Sequence, residues 1–378
     1  MSHMAKTPLN FIDLFSGAGG LSCGLELAGM KCLLGVDHNK DAMKTFAHNH
    51  RQANTYCGDI GKLSIKQIRE LTGHQEIHCI VGGPPCQGFS TVGTGNPLDI
   101  RNQLFLQYHR LVKALNPQFF VIENVTGLVA KKNEKTLNAI IKFFTRLGYE
   151  VEVRVLSAHE FGVAEHRRRT IIMGAKQIKK VIFPVAKNNL TLTIADAWKS
   201  LKADSPNHDV ASANIKSKID LERIKKIPEG CGIRYAQDEK AYLPHSLKLG
   251  INWDQLPEGR FRQTKYFRLN RQKPAPTIMT HRHTYYHPTE HRFLTAREAA
   301  AIQSFPHDFT FFGSVSSQWK QIGNAVPPML AKSLGQAILQ MHQESLKPAN
   351  RVIKKNLSNK TDSQIAALRS RAFEYSKT

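Results

Sequence analysis

Along the first half of the chain, short continuous apolar runs alternate with stretches of helical spacing. Leu9 to Phe15 is an apolar run of strand length, broken by the glycine turn Ser16-Gly17-Ala18-Gly19-Gly20, and Leu21 to Ala28 follows with helical period. Further strands are predicted over Lys31 to Val36, ending at Asp37, and over Ala53 to Cys57, ahead of Gly58-Asp59-Ile60. Ile77 to Val81 reads as a buried strand that stops abruptly at Gly82-Gly83-Pro84-Pro85-Cys86-Gln87-Gly88-Phe89-Ser90. A helix is predicted from Gln103 to Leu115, broken before Pro117, and then a buried strand, Phe119 to Ile122, leading into Glu123-Asn124-Val125. After a helix over Glu134 to Leu147, strands at 151–156 and 170–174 flank Glu165-His166-Arg167-Arg168-Arg169. This alternation predicts an α/β fold built on a doubly wound sheet.

The alternation stops near residue 185. Residues 185–290 are broken by prolines and predict a smaller, irregular domain. Thr295 is placed to cap a helix that returns the chain to the larger domain, and Met329 to Ser345 carries Leu330, Leu334, Ile338 and Met341 on one helical face. The expected organisation is a discontinuous domain from 5–184 and 291–345, an inserted domain at 185–290, and a basic, flexible tail at 346–378. Within that tail Asp362 to Ala372 has the pattern of a short helix.

Charge sharpens the picture. The 378 residues carry 53 Lys+Arg against 30 Asp+Glu, a formal net charge of +23. Such an excess suits a polyanionic partner, because neutralised phosphates release condensed counterions. Residues 259–289 concentrate it: seven Lys/Arg and no acid, interleaved with Phe261, Tyr266, Phe267, Tyr285 and Tyr286. No apolar run approaches membrane-spanning length, and six cysteines without a CxxC pair argue against structural zinc. A reduced, cytoplasmic protein is expected, nucleoid-associated and free of metal.

Two strand ends carry candidate chemistry. Asp37 lies twenty positions after Gly17, the arrangement of a nucleotide-binding βαβ unit in which the acid accepts from ribose hydroxyls. The spacing departs from GxGxxG, so an adenosine cofactor without pyrophosphate competes with a dinucleotide. Cys86, behind its proline pair, has the address of a nucleophile at a strand exit; the alternative is an inert residue in a turn. Glu123 at the next strand end is costly to bury and is expected to face the same cleft.

Phe11-Ile12-Asp13-Leu14-Phe15-Ser16-Gly17-Ala18-Gly19-Gly20, Pro84-Pro85-Cys86-Gln87, Glu123-Asn124-Val125, the cluster at 165–169 and Gln321-Ile322-Gly323-Asn324-Ala325-Val326-Pro327 occur in this order. The chain thereby resembles the DNA (cytosine-5) methyltransferase family, of bacterial restriction-modification type. The resemblance implies a Rossmann-like, S-adenosylmethionine-dependent catalytic domain and an inserted target-recognition domain. It implies Cys86 as covalent nucleophile at cytosine carbon 6, Glu123 on ring nitrogen 3 and the amine, Arg167 on the cytosine carbonyl and Arg169 as its helper. For the cofactor it implies Phe15, Gly17, Gly19, Gly20, Asp37, His38, Asp59, Ile60, Pro85, Leu104, Asn324 and Val326, with S-adenosylhomocysteine as product. For DNA the candidates are Gln87, Ser90, Arg260, Arg262, Lys265, Arg268 and Arg271, mostly on phosphates. Residues 87–101 are expected to close over duplex DNA around an extruded base. Glu165 stands where the family usually has glutamine and is expected to pair with Arg167 and Arg169 without loss of activity. A monomer is expected, acting beside a cognate restriction endonuclease. A tRNA methyltransferase of the same chemistry is the alternative, and a non-catalytic DNA-binding protein the weaker one.

Overall fold

The computed structural model describes residues 8–85, 100–186, 191–256 and 264–347, together with 364, 367, 368, 370 and 372. Cys86, Gln87, Ser90, Arg260 and Arg262 lie outside the described residues, as does residues 87–99 of the expected closing loop. The last two residues of that loop, Ile100 and Arg101, already belong to a helix. The described residues divide into two compact units. Those of Met1–Gly162, Arg167–Leu190 and Ala325–Thr378 form the first; those of Val163–His166 and Thr191–Asn324 form the second.

The first unit opens with β1 (Asn10–Leu14), α1 (Gly20–Leu27), β2 (Lys31–Asp37), α2 (Lys40–Asn49), β3 (Asn54–Cys57), α3 (Ile65–Leu71) and β4 (Cys79–Gly82). It continues through α4 (Ile100–Leu115), β5 (Phe119–Val125), α5 (Glu134–Arg146) and β6 (Glu150–Ser157). β7 (Glu165–His166) belongs to the second unit, and β8 (Arg168–Ala175) comes back to the first. The sheet has seven strands in the order β3-β2-β1-β4-β5-β8-β6. The strands from β3 to β5 are parallel, whereas β8 runs antiparallel to both β5 and β6. The fully buried runs Phe119–Ile122 and Ile80–Val81 read as continuous apolar sequence because helices cover both faces of a parallel sheet. On one face Phe105, Tyr108, Leu111 and Val112 of α4 share a core with Leu137, Ile140, Ile141 and Phe144 of α5. The Phe120 and Phe144 rings stack at 4.1 Å, and the Tyr108 hydroxyl lies within donating distance of the carbonyls of Ile80 (2.9 Å) and Val121 (3.0 Å).

The last long helix, α11 (Pro328–Leu346), lies against α1, and its expected face, Leu330, Leu334, Ile338 and Met341, is wholly buried. The two helices approach so closely that a β-carbon at Gly24 would collide with the Pro328 carbonyl oxygen.

The second unit contains short helices, α6 (Ile194–Trp198), α7 (Lys218–Lys226), α8 (Ala236–Tyr242), α9 (Ala296–Ile302) and α10 (Val315–Asn324), and the two-residue strand β9 (Ala275–Pro276), paired in parallel with β7. Its apolar core is small, built on Ile224, Ile227, Ile233, Leu243, Tyr286 and Phe293. Buried polar groups supply much of its order. The expected return of the chain to the first domain at 291 is not observed: α9 and α10 stay with the second unit up to Asn324. The reason is a buried ion pair. Arg292 donates two bonds of 2.8 Å to Glu298, whose backbone carbonyl also receives the Trp198 indole N–H, while Trp198 stacks on His287. Thr295 caps α9 as expected, in a reciprocal box with Glu298.

Asp13, in the middle of β1, is buried and accepts a 2.7 Å hydrogen bond from the Ser22 hydroxyl of α1. Burial lifts its carboxyl to about 7, opposed by the Ser22 bond and reinforced by the charges of Asp37 and Glu26. In the unfolded chain it ionises near 4. Between these values the folded state holds a proton that the unfolded state has lost, so stability falls as pH rises through this window and is level above it. Asp13→Asn keeps the acceptor for Ser22 and removes the slope. Urea unfolding at pH 5 and pH 8 should show the variant gaining relative to the native chain at the higher pH, by on the order of a few kcal/mol.

Candidate active site

The strand order reverses between β1 and β4: β1 leads to β2 on one side, and β4 leads to β5 on the other. At such a switch point the two carboxyl ends open onto one crevice, which is where ligands of open α/β sheets bind. In register, Leu14 lies opposite Gly82, so the glycine turn and the proline run leave the sheet side by side.

At the β1 exit Phe15 adopts φ 64°, a left-handed conformation costing roughly 1–3 kcal/mol in a bulky residue, and Gly17 and Gly19 continue the turn at φ 54° and 92°. The Asp37 carboxylate fixes this turn. One oxygen accepts from the Gly17 N–H at 2.9 Å and the other from the Asn39 N–H at 2.8 Å, at the start of α2. A β-carbon on Gly17 would meet nothing within 4 Å, so the turn faces open space. His38 is exposed, with Nδ1 3.4 Å from Asp37. Asp59 is exposed and caps the turn Ile60–Lys62 through the Gly61 N–H, whereas Ile60 is a core residue. Leu104 packs on the core from α4; Gly20 opens α1 and Val326 is buried at the approach to α11. A strained aromatic, an open glycine turn and two carboxylates at adjacent strand ends fit an adenosine ligand. Asn324 is exposed at the end of α10, in the second unit.

On the other side of the switch point, Glu123 and Arg169 meet. Val125 on β5 lies opposite Arg169 on β8, which makes Glu123 its diagonal neighbour on the same face of the sheet. The result is an ion pair of 2.7 Å from Arg169 Nε to Glu123 Oε1, both side chains nearly buried. Arg167, the expected contact of the cytosine carbonyl, is fully buried, and Arg169 holds the Glu123 carboxylate. Arg167 precedes β8, which begins at Arg168, so the two-residue period that sets the face of Arg169 does not extend to it. Asn124, whose role sequence reasoning had left open, donates from Nδ2 to the Pro84 carbonyl at 3.0 Å. That bond ties the β5 exit to the run Gly83–Pro85 that leads into Cys86, and Pro85 is the exposed last residue described there. Glu165, in the second unit, is buried and accepts from the Ile278 N–H at 2.6 Å, just past the β7–β9 pairing.

The candidate DNA-contacting residues divide. Lys265 is exposed beside its backbone bridge to Ile233. Arg271 is half-exposed, 3.5 Å from Glu229. Arg268 corrects the expectation: it is 2 % exposed, and its guanidinium donates to the carbonyls of Ile224, His287, Pro288 and Glu290 and meets His291. A rigid five-donor fork is well suited to closing several orphan carbonyls at once, and here it does so inside the unit.

A family model described as C-5 cytosine-specific DNA methylase matches residues 9–340. The chain is 35 % identical over 344 residues to Type II methyltransferase M1.HphI of Haemophilus parahaemolyticus, covering 88 % of this chain and 87 % of that protein. It is 30 % identical over 377 residues to Type II methyltransferase M.DdeI of Desulfomicrobium norvegicum, covering 87 % and 88 %. Among solved structures, a protein encoded within an E. coli prophage and described as a DNA modification methyltransferase matches with a TM-score of 0.70 at 26 % identity, covering 89 % of this chain and 100 % of that one. The chain therefore belongs to the C-5 cytosine-specific DNA methylase family and is a DNA cytosine-5 methyltransferase. Family membership brings S-adenosylmethionine as methyl donor and disfavours the tRNA alternative. Among the described residues no helix is long and apolar enough to cross a membrane.

Gly83 has a specific reason to lack a side chain: a β-carbon there would sit 3.1 Å from Glu123 Oε2. Because Arg169 holds the other oxygen, a shift of Glu123 by a few tenths of an ångström would strain that pair. Gly83→Ala should lower turnover by roughly three- to tenfold while leaving S-adenosylhomocysteine binding at its native strength, measured by methyl-transfer kinetics and calorimetry.

Proposed function

We propose that this methyltransferase acts at one cytosine of a specific duplex sequence, extruding the base before reaction. The observation that carries this reading is the Glu123–Arg169 pair at the β5 exit, tied by Asn124 to the proline run that leads into Cys86. Cytosine carbon 5 is a weak nucleophile. Addition of the Cys86 thiolate at carbon 6 makes the ring an enamine, with Glu123 bonded to ring nitrogen 3 and the exocyclic amine and Arg169 holding Glu123 in that orientation. Phe15, Gly17, Gly19, Asp37 and Asp59 would hold S-adenosylmethionine, whose sulfonium would supply an electrophilic methyl group for carbon 5 and leave as S-adenosylhomocysteine. Loss of the carbon-5 proton to a base then re-forms the ring double bond and releases the Cys86 thiolate. In this reading Arg169 takes the substrate-side role that sequence matching had given to Arg167, which becomes a buried support for the strand.

The second unit, with its basic stripe, is the proposed reader of the target sequence. Of the candidate residues, Lys265 and Arg271 are described and open to phosphates, as is Lys273 of the same stripe, to which Arg260 and Arg262 also belong. Similarity to Type II methyltransferases supports a role beside a cognate restriction endonuclease, and we propose a monomeric, cytoplasmic enzyme.

Trapping on 5-fluorocytosine tests the nucleophile. The native chain should form a denaturation-resistant adduct with cognate duplex in the presence of cofactor, and Cys86→Ser should form none. An adduct that persists in the variant, or that forms on tRNA and not on duplex, overturns the reading. Bisulfite sequencing of the methylated duplex would then supply the target site.

Glu165 offers a second test. Its described bond uses a carboxylate oxygen as acceptor, and a glutamine amide oxygen can accept from Ile278 equally well. Glu165→Gln is expected to keep turnover within about threefold of the native chain; a larger change would assign the carboxylate charge a role in the reaction.

A further inference from the structure

The family model ends at residue 340, and the polar, basic sequence after α11 was expected to be a flexible tail. Part of it is structured. Gln364, Ala367, Leu368, Ser370 and Ala372 are helical; Gln364, Ala367 and Ser370 are exposed, whereas Leu368 and Ala372 are 1 % and 0 % exposed. Leu368 and Ala372 are four positions apart and so lie on one face of the helix, one turn above the other. Both belong to the principal core cluster of the first unit, the cluster of Leu63, Ile68, Phe105 and Tyr108. Phe15 and Leu104, two residues of the cofactor side, pack against that same cluster.

We propose that the helix carrying Leu368 and Ala372 is an integral wall of the first unit, outside the family's matched segment. It seals the apolar core on which the cofactor-side residues rest. A leucine excluded from water is held by the fold on every side, and a solvated tail would leave it exposed. The sparse apolar positions of this segment suffice because only one face needs to be covered.

The test compares the full chain with a chain ending at Lys347 and with Leu368→Asp, Leu368→Ala and Ala367→Asp. Thermal unfolding and S-adenosylhomocysteine calorimetry are the readouts. Truncation and Leu368→Asp should lower Tm by at least roughly 2–4 °C and weaken S-adenosylhomocysteine binding severalfold. Leu368→Ala should fold and show a smaller fall, and Ala367→Asp, on the exposed side, should match the native chain. If Leu368→Asp and truncation leave Tm at the native value, the helix is not part of the core and the proposal is overturned. If Tm falls but S-adenosylhomocysteine binds with native affinity, the sealing of the cofactor side is overturned. The calorimetric arm rests on the proposed cofactor cradle and the thermal arm does not. Failure of the native chain to bind S-adenosylhomocysteine would therefore count against the cradle alone.

Discussion

β1 and β4 run side by side so closely that a β-carbon at Gly82 would collide with the Leu14 carbonyl oxygen. That contact is the constraint on which the site depends. It brings together two parallel strands whose onward connections leave in opposite directions, and so creates the switch point. From it follow the adjacency of the glycine turn and the proline run, and the position of β5, the next strand, with Glu123 at its end. The carboxylate of Asp37 and the left-handed Phe15 shape one side; Glu123, Arg169 and Asn124 shape the other.

The antiparallel strand β8 adds what a purely parallel sheet would lack. Running back between β5 and β6, it carries Arg169 to the same end of the sheet as Glu123 and makes the two diagonal neighbours. A cation 2.7 Å from the glutamate, nearly excluded from water, holds that carboxylate in place. Gly83 and Asn124 complete the arrangement, one by leaving room and the other by tying down the neighbouring loop.

The second unit is stabilised differently. Its apolar core is small, and arginines serve as internal braces: Arg268 gathers backbone carbonyls, and Arg292 binds Glu298. A strongly basic sequence therefore does not translate residue by residue into a basic surface. Arg268 sits in the most basic stretch of the chain and is spent on holding it in shape, while Lys265 stays exposed.

Much of the first unit was legible in the order of residues. Apolar runs ending in a glycine turn, in Gly-Pro or in an acid marked β1, β2, β4 and β5, because a parallel strand covered on both faces is largely apolar and must end where polar groups can reach water. The motifs around Phe15, Cys86, Glu123 and Asn324 placed the chain in its family on the same evidence. Local pattern did not reveal the antiparallel direction of β8, the pairing of Arg169 with Glu123, the internal use of Arg268, or the retention of α9 and α10 in the second unit. Nor did it separate Leu368 and Ala372 from a polar tail. Each of these depends on a partner distant in sequence: Val125 for Arg169, Ile224 for Arg268, Trp198 for Glu298 and the core cluster of the first unit for Leu368. Strand and helix period are set by bonds between near neighbours, whereas which face of an arginine or leucine meets protein is decided only when remote segments pack.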